Sequence, residues 1–343
     1  MKKFYLCKLC LIVFGALLAV QSVSAGNWNK SNDLNPESSE LKLVPGLWPF
    51  NFMTAKEARE QFQIINDTNL GQILKFELRH GQCSGDGNFN DCDNDRQRIM
   101  LRTPEESQFS IKNVDLNARR SDQNVRIFEF GMMVPNDDRF FKTSREVYTS
   151  QILVKARPYI SGSDLWFLKI DEHSGGLVLK TRAGRSCSIP GELWSRGSWY
   201  DFKVQTDFSI YSKSEIQDLM KSAKLARQGK KPLMEPALRI TINGETACEI
   251  FSPIFTEKIK KQVKENKVYA EYGLYNAWVS VWLASQPENQ AWLRQNNIEL
   301  QRYVQDGSYG ISTPTGTPFK YDWPVKLPTQ TVFFTPMIIT KPY

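Results

Sequence analysis

Alternation with a period of two recurs along most of this chain, and it restricts the fold more than any other feature. In 238–243, Leu238, Ile240 and Ile242 alternate with Arg239, Thr241 and Asn243, and Asn243-Gly244 supplies a two-residue hairpin turn. Leu74, Phe76 and Leu78 alternate with Lys75, Glu77 and Arg79, and Arg96, Arg98 and Met100 with Gln97, Ile99 and Leu101. Further strand-like runs cover 125–134, 147–155, 165–170, 177–182, 199–206, 267–283 and 331–339. Strands joined by short turns predict an all-β chain built as a two-sheet antiparallel sandwich or jelly roll.

Helices read as insertions. Residues 214–228 place Ile216, Leu219, Met220 and Ala223 on one face, and Gly229 and Pro232 stop the run. A short basic segment, 255–266, is a second candidate. A third runs over 291–304, with Ser285 and Glu288 spaced as a capping box before it.

The N-terminus reads as a leader. Lys2, Lys3 and Lys8 surround the start of an apolar stretch, 9–20, and Val23-Ser24-Ala25 offers small residues for cleavage after Ala25. The apolar stretch is too short for a membrane span. The expected divisions are a signal peptide over 1–25, a polar tail over 26–45 and one domain over 46–343. The expected location is secreted or periplasmic, without membrane insertion once the leader is removed.

Export gives the cysteines meaning. Without Cys7 and Cys10 the chain keeps Cys83, Cys92, Cys187 and Cys248, an even number for an oxidising compartment. Four cysteines allow three pairings, of which Cys83–Cys92 with Cys187–Cys248 is preferred because the first closes a short polar loop. Zinc is disfavoured by the absence of a CxxC pair and of a nearby histidine. In the same loop Asp86-x-Asn88-x-Asn90 resembles the start of an EF-hand. Its twelfth position is Gln97 and its flanks read as strands, so a structural calcium explains the loop less well than a disulfide does.

Net charge is +7, and losing the three leader lysines leaves +4, which suits an anionic partner. Nucleic acid is disfavoured by export and by the lack of a helix-turn-helix, zinc-finger or RNA-binding aromatic signature. An acidic polysaccharide fits both facts, and a monomer is expected.

Three segments resemble the jelly-roll polysaccharide lyases, the group of alginate lyases, glucuronan lyases and the heparin lyase I type. Tyr269-Ala-Glu-Tyr-Gly273-Leu-Tyr275 is similar to their strand Y-F-K-A-G-x-Y, with Glu271 where the family has Lys. Lys75-Phe-Glu77-Leu-Arg79 is similar to their R-S-E-L-R strand, and Arg96-Gln-Arg98 competes for that match. The order of 199–203, 238–244, 272–275 and 327–334 is similar to the glucuronan-lyase and heparin-lyase-like group. The resemblance implies a concanavalin-like jelly roll and β-elimination at a uronic acid. Gln151-Ile152-Leu153 keeps the glutamine of the family's Q-I-H strand and lacks its histidine, which leaves that role either vacant or to His80.

Lyases of this kind take the C5 proton of a uronate whose carboxylate is first neutralised. A planar guanidinium suits that clamp, and histidine or tyrosine can move the protons. The resemblance therefore implies Arg79 or Arg98 with Gln151 as the clamp, His80 as base, and Tyr275 as acid or as both. Arg96, Lys155, Lys180, Tyr272 and Asn276 are the expected substrate contacts, and neither a metal nor an organic cofactor is required. These residues are expected to line one groove, with Lys75, Glu77 and Arg79 on the same sheet as Tyr275 and with Gly273 leaving room for a sugar ring. The alternative is a non-catalytic, lectin-like protein of the same fold. A glycoside hydrolase ranks last, because no compact E-x-D-x-x-E strand is present.

Overall fold

The hairpin that is clearest in the sequence shows how the strands are made. Leu238, Ile240 and Ile242 are buried, while Arg239 and Thr241 are half-exposed on the other face. Asn243 and Gly244 take the left-handed conformation, at φ 50° and 85°, which a right-twisting two-residue turn requires. The same alternation repeats through the computed structural model. The model describes residues 40–41, 50–52, 61–82, 85–86, 89–91, 96–102, 124–136, 146–154, 163–171, 175–262, 268–277, 279–298, 301–305, 308–312 and 321–342.

Two antiparallel sheets pack face to face as a jelly-roll sandwich. The first runs β1 (Glu40–Leu41), β2 (Phe50–Phe52), β7 (Arg96–Arg102), β16 (Val268–Ala277), β9 (Glu146–Val154), β10 (Ser163–Ile170), β11 (Leu177–Thr181) and β12 (Ser186–Ser188). The second runs β15 (Glu245–Ile250), β14 (Leu238–Ile242), β13 (Tyr200–Asp207), β8 (Val125–Met133), β19 (Gln330–Phe334), β4 (Gly71–Leu78) and β3 (Phe62–Asp67), with β20 (Ile338–Thr340) also paired to β8. Two small hairpins stand apart, β5 (Gly85–Asp86) with β6 (Phe89–Asn90) and β17 (Gln301–Gln305) with β18 (Ser308–Ser312).

Aromatic residues fill the space between the sheets. Phe76 and Phe334 of the second sheet meet Tyr272 of the first edge-to-face, at centroid distances of 5.8 and 5.3 Å. Phe128 meets Trp166 across the same gap at 5.6 Å. Such pairs add about 0.5–1.5 kcal/mol each beyond the area they bury. A disulfide between Cys187 of β12 and Cys248 of β15, Cα atoms 6.2 Å apart, ties together edge strands of the two sheets, as the sequence led us to expect. Cys83 and Cys92 lie outside the described residues, as do residues 1–25, where a leader is expected, and most of 26–45.

The helices are α1 (Lys213–Arg227), α2 (Glu257–Gln262), α3 (Val279–Ser285) and α4 (Pro287–Gln295). α1 starts at a complete capping box between Ser212 and Glu215. Two expectations need correction. The strand read over 267–283 stops at Ala277, and α3 follows, because Val279 and Leu283 are four apart and both bury against Leu293, Trp323 and Leu327. The helix read over 291–304 is α4. It begins at Pro287 with no side-chain cap, and 301–305 is strand.

Candidate functional site

Inter-strand register decides which side chains share a face. In β7 Ile99 and Leu101 point into the core, as do Ala270, Tyr272 and Leu274 in β16. The alternate residues therefore stand on the outer face of the first sheet. Pairing sets them in two rows across the strands. One row is Arg98, Tyr275, Tyr148, Lys169, Val178 and Ser188; the other is Arg102, Glu271, Gln151, Phe167, Lys180 and Ser186. Register thus places the positions of Arg98, Tyr275, Gln151 and Lys180 along one face of the sheet. Arg96 is half-buried on the same face, opposite Ala277.

Arg98 is the most constrained of them. Its Nε and Nη2 donate to the two carboxylate oxygens of Asp91, at 2.5 and 2.6 Å. Asp91 is fully buried and the Arg98 side chain is 14% exposed. The guanidinium carbon sits 5.4 Å from the centre of the Tyr275 ring. Burial by itself would favour loss of the proton from Arg98. The Asp91 carboxylate, with smaller contributions from Tyr275 and Glu271, outweighs this and keeps the guanidinium charged. Pairing of the strand arginines with Glu77 and the loop aspartates is the plain reading of these residues in the sequence, and Arg98–Asp91 and Arg79–Glu77 realise it.

Glu271 is also buried, at 1% exposure, directly opposite Gln151. Lys169 shares the face and is almost as buried. Gly273 is not an opening for a sugar ring. Its φ is 141°, and an added Cβ would collide with the Ile99 carbonyl oxygen and lie 2.8 Å from Met100 Cα. The missing side chain is replaced by the backbone of β7.

The other expected residues lie elsewhere. The strand carrying Lys75, Glu77 and Arg79 is β4, in the second sheet, so it does not share a sheet with Tyr275. The strand on the far side of the polar loop, β7, belongs to the first sheet, so the two runs are not partners. Arg79 Nε donates to Glu77 Oε1 at 2.6 Å and Lys75 lies 2.8 Å from Glu77 Oε2. Burial would raise the Glu77 carboxyl, but these two cations hold it below the usual range. Tyr272 and Asn276 belong to the inner face of β16. Tyr272 is fully buried among Phe76 and Phe334, its hydroxyl pushed well above the ordinary tyrosine range by burial, and Asn276 donates to Gln330 Oε1 at 2.7 Å. An even spacing from Tyr275 would have been needed to keep them in the groove. Lys155 lies outside the described residues.

His80 caps the end of β4. The Leu327 N–H donates to its Nδ1 at 3.1 Å. Burial and the charge of Lys326 push its pKa down to about 4, against the pull of Asp322. At neutral pH it is an uncharged imidazole whose Nδ1 lone pair is engaged, so its remaining ring nitrogen carries the hydrogen.

No protein-family model and no curated protein matches the sequence. Several solved structures are similar to it. A sialidase is 8% identical with a TM-score of 0.40, over 91% of this chain and 18% of that one, so this chain spans less than a fifth of that protein's length. An alginate lyase from Pseudomonas aeruginosa is 11% identical over 87% of this chain and 99% of that one, with a TM-score of 0.39. A β-glucanase catalytic domain from Podospora anserina is 10% identical over 92% and 90%, with a TM-score of 0.41. Likeness at this level assigns no activity, and the site stands on its own residues.

Proposed function

We propose that the chain is an exported polysaccharide lyase that cleaves a uronic-acid polymer by β-elimination. The observation that carries the reading is the direct cross-strand pairing of Arg98 with Tyr275 on the outer face of the first sheet. Arg98, held charged by Asp91, offsets the substrate carboxylate, and Gln151 in the adjacent row is the amide partner in that role. Neutralising the carboxylate makes the C5 proton removable, because the enolate-like charge has somewhere to reside. Tyr275 takes that proton as a phenolate favoured by the neighbouring guanidinium and returns one to the departing O4. With its Nδ1 engaged by Leu327, His80 serves this reading as a brace for the 321–327 segment, and both proton transfers fall to Tyr275. The chemistry asks for no metal or cofactor. The Cys187–Cys248 disulfide supports export.

The test is a panel of alginate, glucuronan and heparin followed at the ultraviolet absorbance of the unsaturated product. Tyr275→Phe is expected to lower turnover by about 100-fold or more while leaving binding nearly intact, the usual scale for loss of a proton-transferring group. Full turnover in that variant would refute the mechanism.

Two observations favour the lectin-like alternative. Asp91 already takes two hydrogen bonds from Arg98, and Leu153 stands where a histidine would be needed for two-residue proton transfer. Binding without cleavage by any polymer of the panel would support it.

A further inference from the structure

A cleft of about 590 Å³ opens where the first sheet ends, between the β11–β12 turn, the C-terminal half of α1 and the end of β15. Its lining includes Arg185, Ser186, Met220, Ala223, Arg227 and Phe251. Resting on the lyase reading, we propose that this cleft is a second binding subsite, for an anionic sugar unit of the same polymer several residues away from the bond that is cut.

Continuity is the first argument. Ser186 is the last member of the row that holds Glu271, Gln151, Phe167 and Lys180, and it also lines the cleft. A polymer laid along that row leaves the sheet over β12 and enters the cleft. From β16 to β12 is four inter-strand steps, about 19 Å at the usual spacing. The distance suits a chain of several sugars and is beyond the reach of a disaccharide at the cleavage position.

Charge is the second. Arg185 and Arg227 are both exposed, and neither has a carboxylate partner among the described residues. Arg227 Nε donates to the Ala223 carbonyl of its own helix at 3.2 Å. The acid in the lining, Glu249, is already taken by Arg239 Nε at 2.8 Å. The cleft thus presents two unspent guanidinium groups, the side chain best shaped for carboxylate or sulfate. Met220, 64% exposed, and Ala223 and Phe251 give the apolar surface on which the C–H face of a sugar ring rests.

Rigidity is the third. The Thr181 N–H donates to the Arg185 carbonyl at 2.8 Å, and the Arg185 N–H to Thr181 Oγ1 at 3.2 Å, fixing the turn. α1 is fixed by its capping box and by buried Leu219 and Ser222. The disulfide joins Cys187, next to Ser186, to Cys248, next to Glu249, so it clamps two walls of the cleft.

The test compares binding of wild type and Arg185→Ser/Arg227→Ser with dimers and octamers cut from alginate, glucuronan and heparin, by titration calorimetry at low salt. For whichever octamer binds wild type, the double variant is expected to bind about tenfold more weakly, the scale of two exposed charge-assisted contacts, with dimer binding unchanged. Equal octamer affinity in the two proteins would overturn the proposal, as would failure of every octamer to bind wild type. Binding is read without turnover. An octamer that binds through the two arginines but yields no unsaturated product would leave the subsite standing and remove the lyase reading alone.

Discussion

Replacing Asp91 with Asn keeps the shape of the residue and removes its charge. The consequence is set by burial. Losing one partner of a fully buried ion pair costs about 3–5 kcal/mol, because the other charge stays desolvated. Arg98 keeps 14% of its side chain exposed and has the Glu271 charge nearby, so the cost falls just below that range, to about 2–3 kcal/mol. With a slope of about 2–3 kcal/mol per molar urea, the unfolding midpoint should fall by roughly 1 M. Catalysis should suffer separately. The amide puts an NH2 donor where one of the two acceptor oxygens stood, facing an Arg98 N–H, so the guanidinium loses its fixed aim over Tyr275, and kcat should drop more than KM rises. A double variant, Asp91→Leu with Arg98→Met, separates the two effects. It should recover most of the stability, since replacing both buried charges with apolar groups removes the unpaired ion, while remaining inactive. If Asp91→Asn unfolded at the wild-type midpoint with wild-type kcat, Asp91 would not position Arg98 and this account of the site would fail.

Two further perturbations address the frame. Removing the Cys187–Cys248 disulfide by a double Ser substitution frees a loop of sequence separation 61 and should cost about 4 kcal/mol by the chain-entropy relation, read as a lower melting temperature in calorimetry; no decrease would refute it. His80 in the folded chain titrates near 4, below its ordinary 6.5, so the unfolded chain binds a proton first as pH falls. Its contribution is complete above about pH 6.5 and fades toward pH 4, a loss of about 1–2 kcal/mol once its partial exposure is allowed for. Urea unfolding of His80→Gln should show a flatter stability profile over that window, and an unchanged profile would refute the assignment.

The alternation of Leu238, Ile240 and Ile242 made the hairpin and its turn visible in the sequence because strand parity is a local property. Parity also grouped Glu271, Gly273 and Tyr275 correctly on one face. It does not say which sheet a strand joins. The runs ending at Arg79 and starting at Arg96 look alike and are separated by one loop, yet they belong to different sheets. Only the pairing of β7 with β16, far apart in the chain, puts Arg98 and not Arg79 beside Tyr275. Tyr272 and Asn276 were placed in the groove by proximity in sequence, although one residue along a strand reverses the face. The helix at 279–285 was hidden because Val279 and Leu283 continue an apolar strand run and reveal their four-residue spacing only where Trp323 and Leu327 pack on them.

Charge along the two rows bears on where an anionic polymer gains affinity. At the β7 end the Arg98 charge is matched by Asp91, and Glu271 adds a buried negative charge beside it. There the Asp91–Arg98 pair holds a guanidinium in one orientation and adds little net charge of its own. Toward the other end, Lys169 and Lys180 stand on β10 and β11, and Arg185 and Arg227 follow in the cleft beyond β12. On the proposed reading, capture and chemistry are therefore separated along the sheet. The polymer is held chiefly by the exposed Arg185 and Arg227, whose contribution weakens with salt, while the buried Asp91–Arg98 pair is screened little. Raising ionic strength should accordingly raise KM for long polymer far more than it lowers kcat, and an equal fall in kcat would place capture and chemistry at the same charges.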